Sequence, residues 1–140
     1  MKTFCIVCMA NFCRSPVAQT ILNKRFEGKY IFDSAGISPI IASNMDPRSH
    51  FFLEKNNYPR QIHTPKKLSL KIIKNSEIVF AVDHYVLAKL NHIFPRHRNK
   101  FKLLSYQHKE ISLSDPYRFN ENEYENVMKD IEFISLNINI

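Results

Sequence analysis

Short apolar runs alternate along the chain with longer stretches whose apolar residues recur at helical spacing. Thr3–Val7 (TFCIV) reads as a buried strand, and Pro16–Glu27 then places Val17, Ile21, Leu22 and Phe26 on one face of a helix. Gly28 follows as its expected C-terminal stop. Tyr30–Asp33 predicts a second short strand. Asp46 and Pro47 read as an N-cap followed by proline in the first turn, and Phe51, Phe52 and Leu53 are expected to give that helix its buried face. Ile78–Val82 (IVFAV) predicts a third strand, Asp83 caps a helix carrying Val86, Leu87 and Leu90, and Phe101–Leu104 predicts a fourth strand. Glu121–Ser135 aligns Tyr124, Val127, Met128, Ile131 and Ile134 in one stripe.

Strands that alternate with helices imply right-handed crossovers and a parallel sheet covered on both faces. The expected fold class is α/β: one doubly wound domain over residues 1–140, with a four-stranded parallel sheet. No linker, repeat or low-complexity segment interrupts it. Ligands of such folds bind outside the carboxyl ends of the strands, so the loop leaving the first strand becomes the place to look for chemistry.

That loop reads CMANFCRSP from Cys8 to Pro16. A cysteine five residues before an arginine, between a strand and a helix start, can wrap a row of N–H groups around one phosphate-sized anion. Three features favour a thiolate at Cys8: the inward N–H groups, the positive end of the helix that starts near Ser15, and the full charge of Arg14. The planar fork of Arg14 matches two phosphate oxygens at once. Ser15 can donate its hydroxyl to the sulfur and is also expected to cap the helix beginning at Pro16. Asn11, mid-loop, suits a left-handed backbone. A leaving alkoxide or phenolate needs a proton, and Asp115, held before Pro116 in SDPY, is the best candidate donor. The chemistry implied is covalent cleavage of phosphate esters without metal or cofactor.

Composition changes this picture only at its edges. The three cysteines, Cys5, Cys8 and Cys13, fall within nine residues; this odd, clustered set does not resemble an extracellular disulfide framework. With no apolar run near the ~20 residues of a membrane span and no signal-like start, a cytoplasmic protein is expected. The net charge of +7 would attract anionic partners, although solvated surface is its simplest reading.

The loop Val7–Pro16 resembles the signature of the low-molecular-weight protein tyrosine phosphatases, and Asp115-Pro116-Tyr117 is similar to their late Asp-Pro-aromatic motif. Asp33–Gly36, Asp46–Arg48 and Ile78–Asp83 are similar to further family motifs, so the resemblance covers nearly the whole chain. It implies Cys8 as nucleophile, Arg14 as phosphate binder and Asp115 as general acid. It further implies that Met9, Ala10, Asn11, Phe12 and Cys13 form the phosphate-binding loop, supported by Ser15, Ser34 and His63. Ile40 and Tyr117 would rim the pocket. Cys13 resembles the family's second cysteine, which can pair with the nucleophile under peroxide; a small buried core residue is the alternative. Cys5 is expected to fill the core. Two departures stand out: Ala10 where the family usually has glycine, and a wall segment, Ile37–Asp46, one residue short and with Ile40 where an aromatic is common.

The implied partners are tyrosine-phosphorylated proteins, a tyrosine kinase among the candidates, with no nucleic acid, no membrane, and a monomeric or weakly dimeric state. Three other readings stay open. An arsenate reductase-like enzyme shares fold and loop but needs downstream cysteines, and none follows Cys13. A phosphate-binding or basic interaction module without catalysis would leave Asp115 unexplained. A zinc site at Cys5, Cys8 and Cys13 lacks a second ligand pair, and Arg14 would repel the ion.

Overall fold

A computed structural model describes residues 1–140. Strand β1 (Lys2–Cys8) leads through the motif loop into helix α1 (Ser15–Arg25) and strand β2 (Tyr30–Gly36). Helices α2 (Pro47–Lys55) and α3 (Leu70–Asn75) precede β3 (Val79–Ala81); α4 (His84–Ile93) and a 3-10 turn (Pro95–Lys100) lead to β4 (Phe101–Leu103). Helix α5 (Glu121–Asn137) closes the chain. All pairings are parallel in the order β2-β1-β3-β4, with Cys5 opposite both Asp33 and Val79 and with Phe80 opposite Lys102.

The central position of β1 explains why its sequence is apolar without alternation. Phe4, Cys5, Ile6 and Val7 are all buried, because helices cover both faces of the strand. The sheet grows in opposite directions from β1 and β3, so right-handed crossovers put α1 and α4 on opposite faces. Helix α1 packs on α5 and α2, and α4 packs on β3 and β4. The stripe Tyr124, Val127, Met128, Ile131 and Ile134 of α5 is buried as its spacing predicts. Near the amino ends of β1 and β2, Phe4 stacks on Phe32 at 5.3 Å and meets Tyr30 edge-on at 5.2 Å. No helix is long and apolar enough to cross a membrane.

Several local expectations need correction. Phe51 is 66% exposed, whereas Phe52 and Leu53 are buried with Ser49. Three successive residues of a helix spread over about 200° of its circumference, so one of them must leave the core. Ser15 does not cap α1; it is the first helical residue, and its hydroxyl turns back into the loop. Helix α1 ends at Arg25 rather than Glu27, and Gly28, at φ +79°, shapes the turn beyond it. Strand β2 runs on to Gly36, three residues past its expected end. Helix α3, capped by the Ser69 hydroxyl at Ile72 N–H, and the 3-10 turn were not expected from the sequence. The caps at Asp46 and Asp83 form as expected, accepting from Arg48 N–H and Val86 N–H.

Candidate active site

The direction of the sheet reverses between β1 and β3, and the crevice beyond their carboxyl ends is where this fold class binds ligands. Two segments enter it at once, the loop after Cys8 and the turn after Ala81 that carries Asp83. The loop's shape is imposed from outside. The Cys8, Met9 and Ala10 carbonyls accept from the N–H groups of Ile37 (3.1 Å), Ser38 (2.8 Å) and Ile40 (3.2 Å). The Asn11 carbonyl pairs with His63 Nε2 at 2.8 Å, and the Phe12 carbonyl accepts from Asp46 N–H at 3.0 Å. Cys13 O accepts from the Ser49 hydroxyl at 2.8 Å, and Arg14 O from Ala18 N–H at 3.2 Å. With every carbonyl from Cys8 to Arg14 drawn away, the amides face the concave side. Asn11 N–H donates to Cys8 Sγ at 3.2 Å, and the N–H groups of Met9, Ala10, Phe12, Cys13 and Arg14 donate to no protein acceptor. This arrangement is an anion nest.

Asn11 is the hinge of the arrangement. Its backbone takes φ 54°, the left-handed region asparagine tolerates. Its side-chain amide donates to Ser15 Oγ (2.8 Å) and Ser34 Oγ (3.0 Å), and its Oδ1 accepts from Lys66 N–H (2.9 Å). Ser15 Oγ accepts from Asn11, so its own proton is free for Cys8 Sγ, 2.9 Å away. The Ser34 hydroxyl donates in turn to Gln19 Oε1. Burial holds the His63 ring below its ordinary range, which keeps it neutral near pH 7 with Nε2–H donating to Asn11 O. Gly36 is required at the end of β2: a Cβ there would lie 2.9 Å from Met9 O and 3.0 Å from Asn11 N.

Arg14 is 2% exposed, and one nitrogen, Nη1, donates to Asp83 Oδ2 (2.6 Å) and to Leu113 O (2.8 Å). Its Nε and Nη2 have no protein acceptor. The guanidinium is therefore locked along one edge, leaving the other free to bind an oxyanion. Cys8, Ala10, Phe12, Cys13, Arg14, Ile40, Asp115 and Tyr117 line a cavity of about 170 Å³. Ala10 fits there because its φ is not left-handed, so the departure from glycine leaves the nest intact. Phe12 and Tyr117 meet edge to face at 6.3 Å, and with Ile40 they give the mouth an apolar wall. Asp115 is exposed at that mouth; its Oδ1 accepts from Tyr117 N–H at 3.2 Å.

Cys13 shares the cavity, but burial pushes its thiol up to about 12, and its Sγ leans on Asp46 Oδ2 at 3.7 Å. Cys5 is wholly enclosed in β1, where burial raises its thiol further. No group of three or more His, Cys, Asp or Glu side chains is placed to hold a metal ion. Residues Cys8 to Ser15, with Ser34 and His63, make up the nest and its supports, and Ile40, Asp115 and Tyr117 stand at the mouth of the cavity. Sequence reading missed Asp83 as the anchor of Arg14, Gln19 behind Ser34, and the Ser49 and Lys66 contacts. For Asp83 one signal existed, an acidic residue at the carboxyl end of a strand in this fold class.

Fold and site together define a cysteine-dependent phosphate-ester hydrolase built on a doubly wound sheet. The chain belongs to the low molecular weight phosphotyrosine protein phosphatases: that family's sequence model matches residues 3–137. It is 27% identical over 127 residues to the low molecular weight protein-tyrosine-phosphatase Wzb of Salmonella typhi, covering 91% of this chain and 85% of that one. Its backbone matches Vibrio vulnificus Wzb in complex with benzylphosphonate at a TM-score of 0.88 and 22% identity, over 96% and 94% of the two chains. The YwlE arginine phosphatase from Geobacillus stearothermophilus matches at 0.86 and 22% identity, over 96% and 88%. As a member of this family the protein is a hydrolase acting on phosphorylated protein.

Proposed function

We propose that this single-domain protein hydrolyses aryl phosphate monoesters, phosphotyrosine in proteins foremost, through a cysteinyl-phosphate formed on Cys8. The observation that supports this most is the outward tethering of the whole Cys8–Arg14 backbone, which aims its amides, the free edge of Arg14 and the sulfur at one point. Such preorganised donors stabilise charge that develops on the equatorial oxygens without reorganising during the reaction.

In the first step Cys8 Sγ attacks phosphorus while the bond to the phenolic oxygen breaks. Protonated Asp115 delivers its proton to that oxygen, and the phenol leaves. In the second step Asp115, now a carboxylate, takes a proton from water as the water oxygen attacks phosphorus. The S–P bond breaks, inorganic phosphate departs, and Ser15 stabilises the returning thiolate by donating to it. The apolar wall of Phe12, Ile40 and Tyr117 suits a phenyl ring better than the cationic guanidinium of a phosphoarginine. A cytoplasmic location, a monomeric or weakly dimeric state and a tyrosine kinase among the substrates complete the reading.

The test is hydrolysis of p-nitrophenyl phosphate and of matched phosphotyrosine and phosphoarginine peptides, in the presence of a chelator. Wild type should cleave the first two and favour phosphotyrosine, whereas Cys8→Ser should be inactive. Undiminished turnover by Cys8→Ser would sink the covalent route, and a preference for phosphoarginine would overturn the substrate assignment.

A further inference from the structure

The segment carrying Asp115 has no regular structure, yet its main chain is gripped on both sides of the aspartate. On one side Arg14 Nη1 holds Leu113 O at 2.8 Å. On the other, Arg48 Nη2 holds Tyr117 O at 2.8 Å and Nη1 holds Phe119 O at 3.1 Å. Arg48 is in turn fixed by Asp46, with Nε to Oδ1 at 3.1 Å and Nη2 to Oδ2 at 2.9 Å, and its guanidinium lies 4.0 Å over the Tyr124 ring. Asp46 is 4% exposed, and its own N–H donates to Phe12 O of the nest. One continuous path therefore runs from the nest through Asp46 and Arg48 to the strand of chain just beyond Asp115.

We propose that Arg48 is a positioning residue for proton transfer: it sets the distance between the Asp115 carboxyl and the anion nest. This inference rests on Asp115 acting as the general acid. Arginine is needed because four directed bonds fan out from one planar group, and lysine would retain the charge but not the fork. The nest keeps its own bond to Asp46, which is a backbone donor, so loss of Arg48 loosens the acid and spares the cradle.

The experiment compares Arg48→Lys, Asp115→Asn and the double variant on p-nitrophenyl phosphate and phenyl phosphate, with vanadate inhibition measured alongside. The leaving group of the first substrate departs nearly unaided, whereas that of the second needs the proton. Arg48→Lys should lower kcat on phenyl phosphate by about tenfold or more, a misplacement of about an ångström being worth up to ~100-fold, and on p-nitrophenyl phosphate by no more than about threefold. In the Asp115→Asn background, Arg48→Lys should add almost nothing. Vanadate affinity within about twofold of wild type shows that the nest and the fold survive. Equal losses on both substrates, or a full additional loss in the double variant, overturns the positioning role. If Asp115→Asn itself fails to discriminate between the substrates, the general-acid reading falls, and the role of Arg48 falls with it. Asp115→Asn discriminating while Arg48→Lys does not would reject the positioning role alone.

Discussion

Replacing Asp83 with asparagine separates two jobs of one side chain. Asparagine caps a helix as well as aspartate does, so the bond from Val86 N–H to Oδ1 is kept. What disappears is the negative charge beside Arg14, whose guanidinium is 2% exposed and 2.6 Å from Oδ2. Removing one partner of a buried pair costs about 3–5 kcal/mol. Asp83 is 22% exposed and an amide oxygen would still accept one bond, which reduces the expected loss to about 2–3 kcal/mol. In a domain of this size that lowers the melting temperature by roughly 7–10 °C. An oxyanion in the nest supplies negative charge to the same guanidinium. At one fixed phosphate concentration, thermal scans should therefore show a larger rise for Asp83→Asn than for wild type. A tenfold gain in affinity would add about 1.4 kcal/mol, or some 5 °C, to that rise. Asp83→Ala should lose about 1 kcal/mol more in the absence of ligand, through the missing cap. An unliganded Asp83→Asn as stable as wild type, or one that phosphate stabilises less, would refute the view that this pair compensates an otherwise unpaired buried charge.

Three further outcomes are expected. Asn11→Ala removes three side-chain hydrogen bonds and puts a Cβ-bearing, non-Asn residue at φ 54°, for a loss of about 3–4 kcal/mol in urea denaturation; Asn11→Gly should recover only about 1 kcal/mol, and complete recovery would show that the side chain is idle. His63 is held below its unfolded value of about 6.5, so the unfolded chain binds more protons in mildly acidic solution. Stability from this group is full above that value and is lost as pH falls through the folded one; His63→Gln should flatten the slope of unfolding free energy between about pH 7 and pH 5, and an unchanged slope would contradict the assignment. With its thiol near 12 and 6% exposed, Cys13 should resist iodoacetamide in the native Cys8→Ser protein at neutral pH and react only in denaturant, as read by mass spectrometry; rapid native labelling counts against its burial.

The parts legible in the sequence are those in which one local pattern has one physical cause. Thr3–Val7 is apolar throughout because β1 is the middle of a parallel sheet, and the Cys8–Arg14 spacing is legible because strand, nest and helix follow one another without a break. Helix α3 escaped notice because it is six residues long with only Ile73 fully buried; its carboxyl end is held by Lys100, which donates to Ile73 O, Lys74 O and Ser76 O. Asp83 reads as a cap in the sequence, and it is one. Its second oxygen meets a residue 69 positions away, a contact no local pattern encodes. Ser15 is no cap because it is itself the first helical residue, and its oxygen, turned back into the loop, accepts from the Asn11 side-chain amide instead of a backbone N–H of the helix. The same long reach hides the Asp46–Arg48 pair, whose targets at Tyr117 and Phe119 lie about 70 residues on.

The nest owes its shape to Ile37, Ser38, Ile40, Asp46, Ser49, Ala18 and His63, and only one of its amides leans on the sulfur of Cys8. Exchanging that sulfur for oxygen therefore disarms the protein without dismantling the receptacle. The Cys8→Ser protein is a ready-made bait: immobilised and passed over a lysate, it should retain phosphorylated clients that the active enzyme would release, and free vanadate should elute them. The chain thus carries, in a scaffold independent of its reactive atom, the means of finding what it acts on.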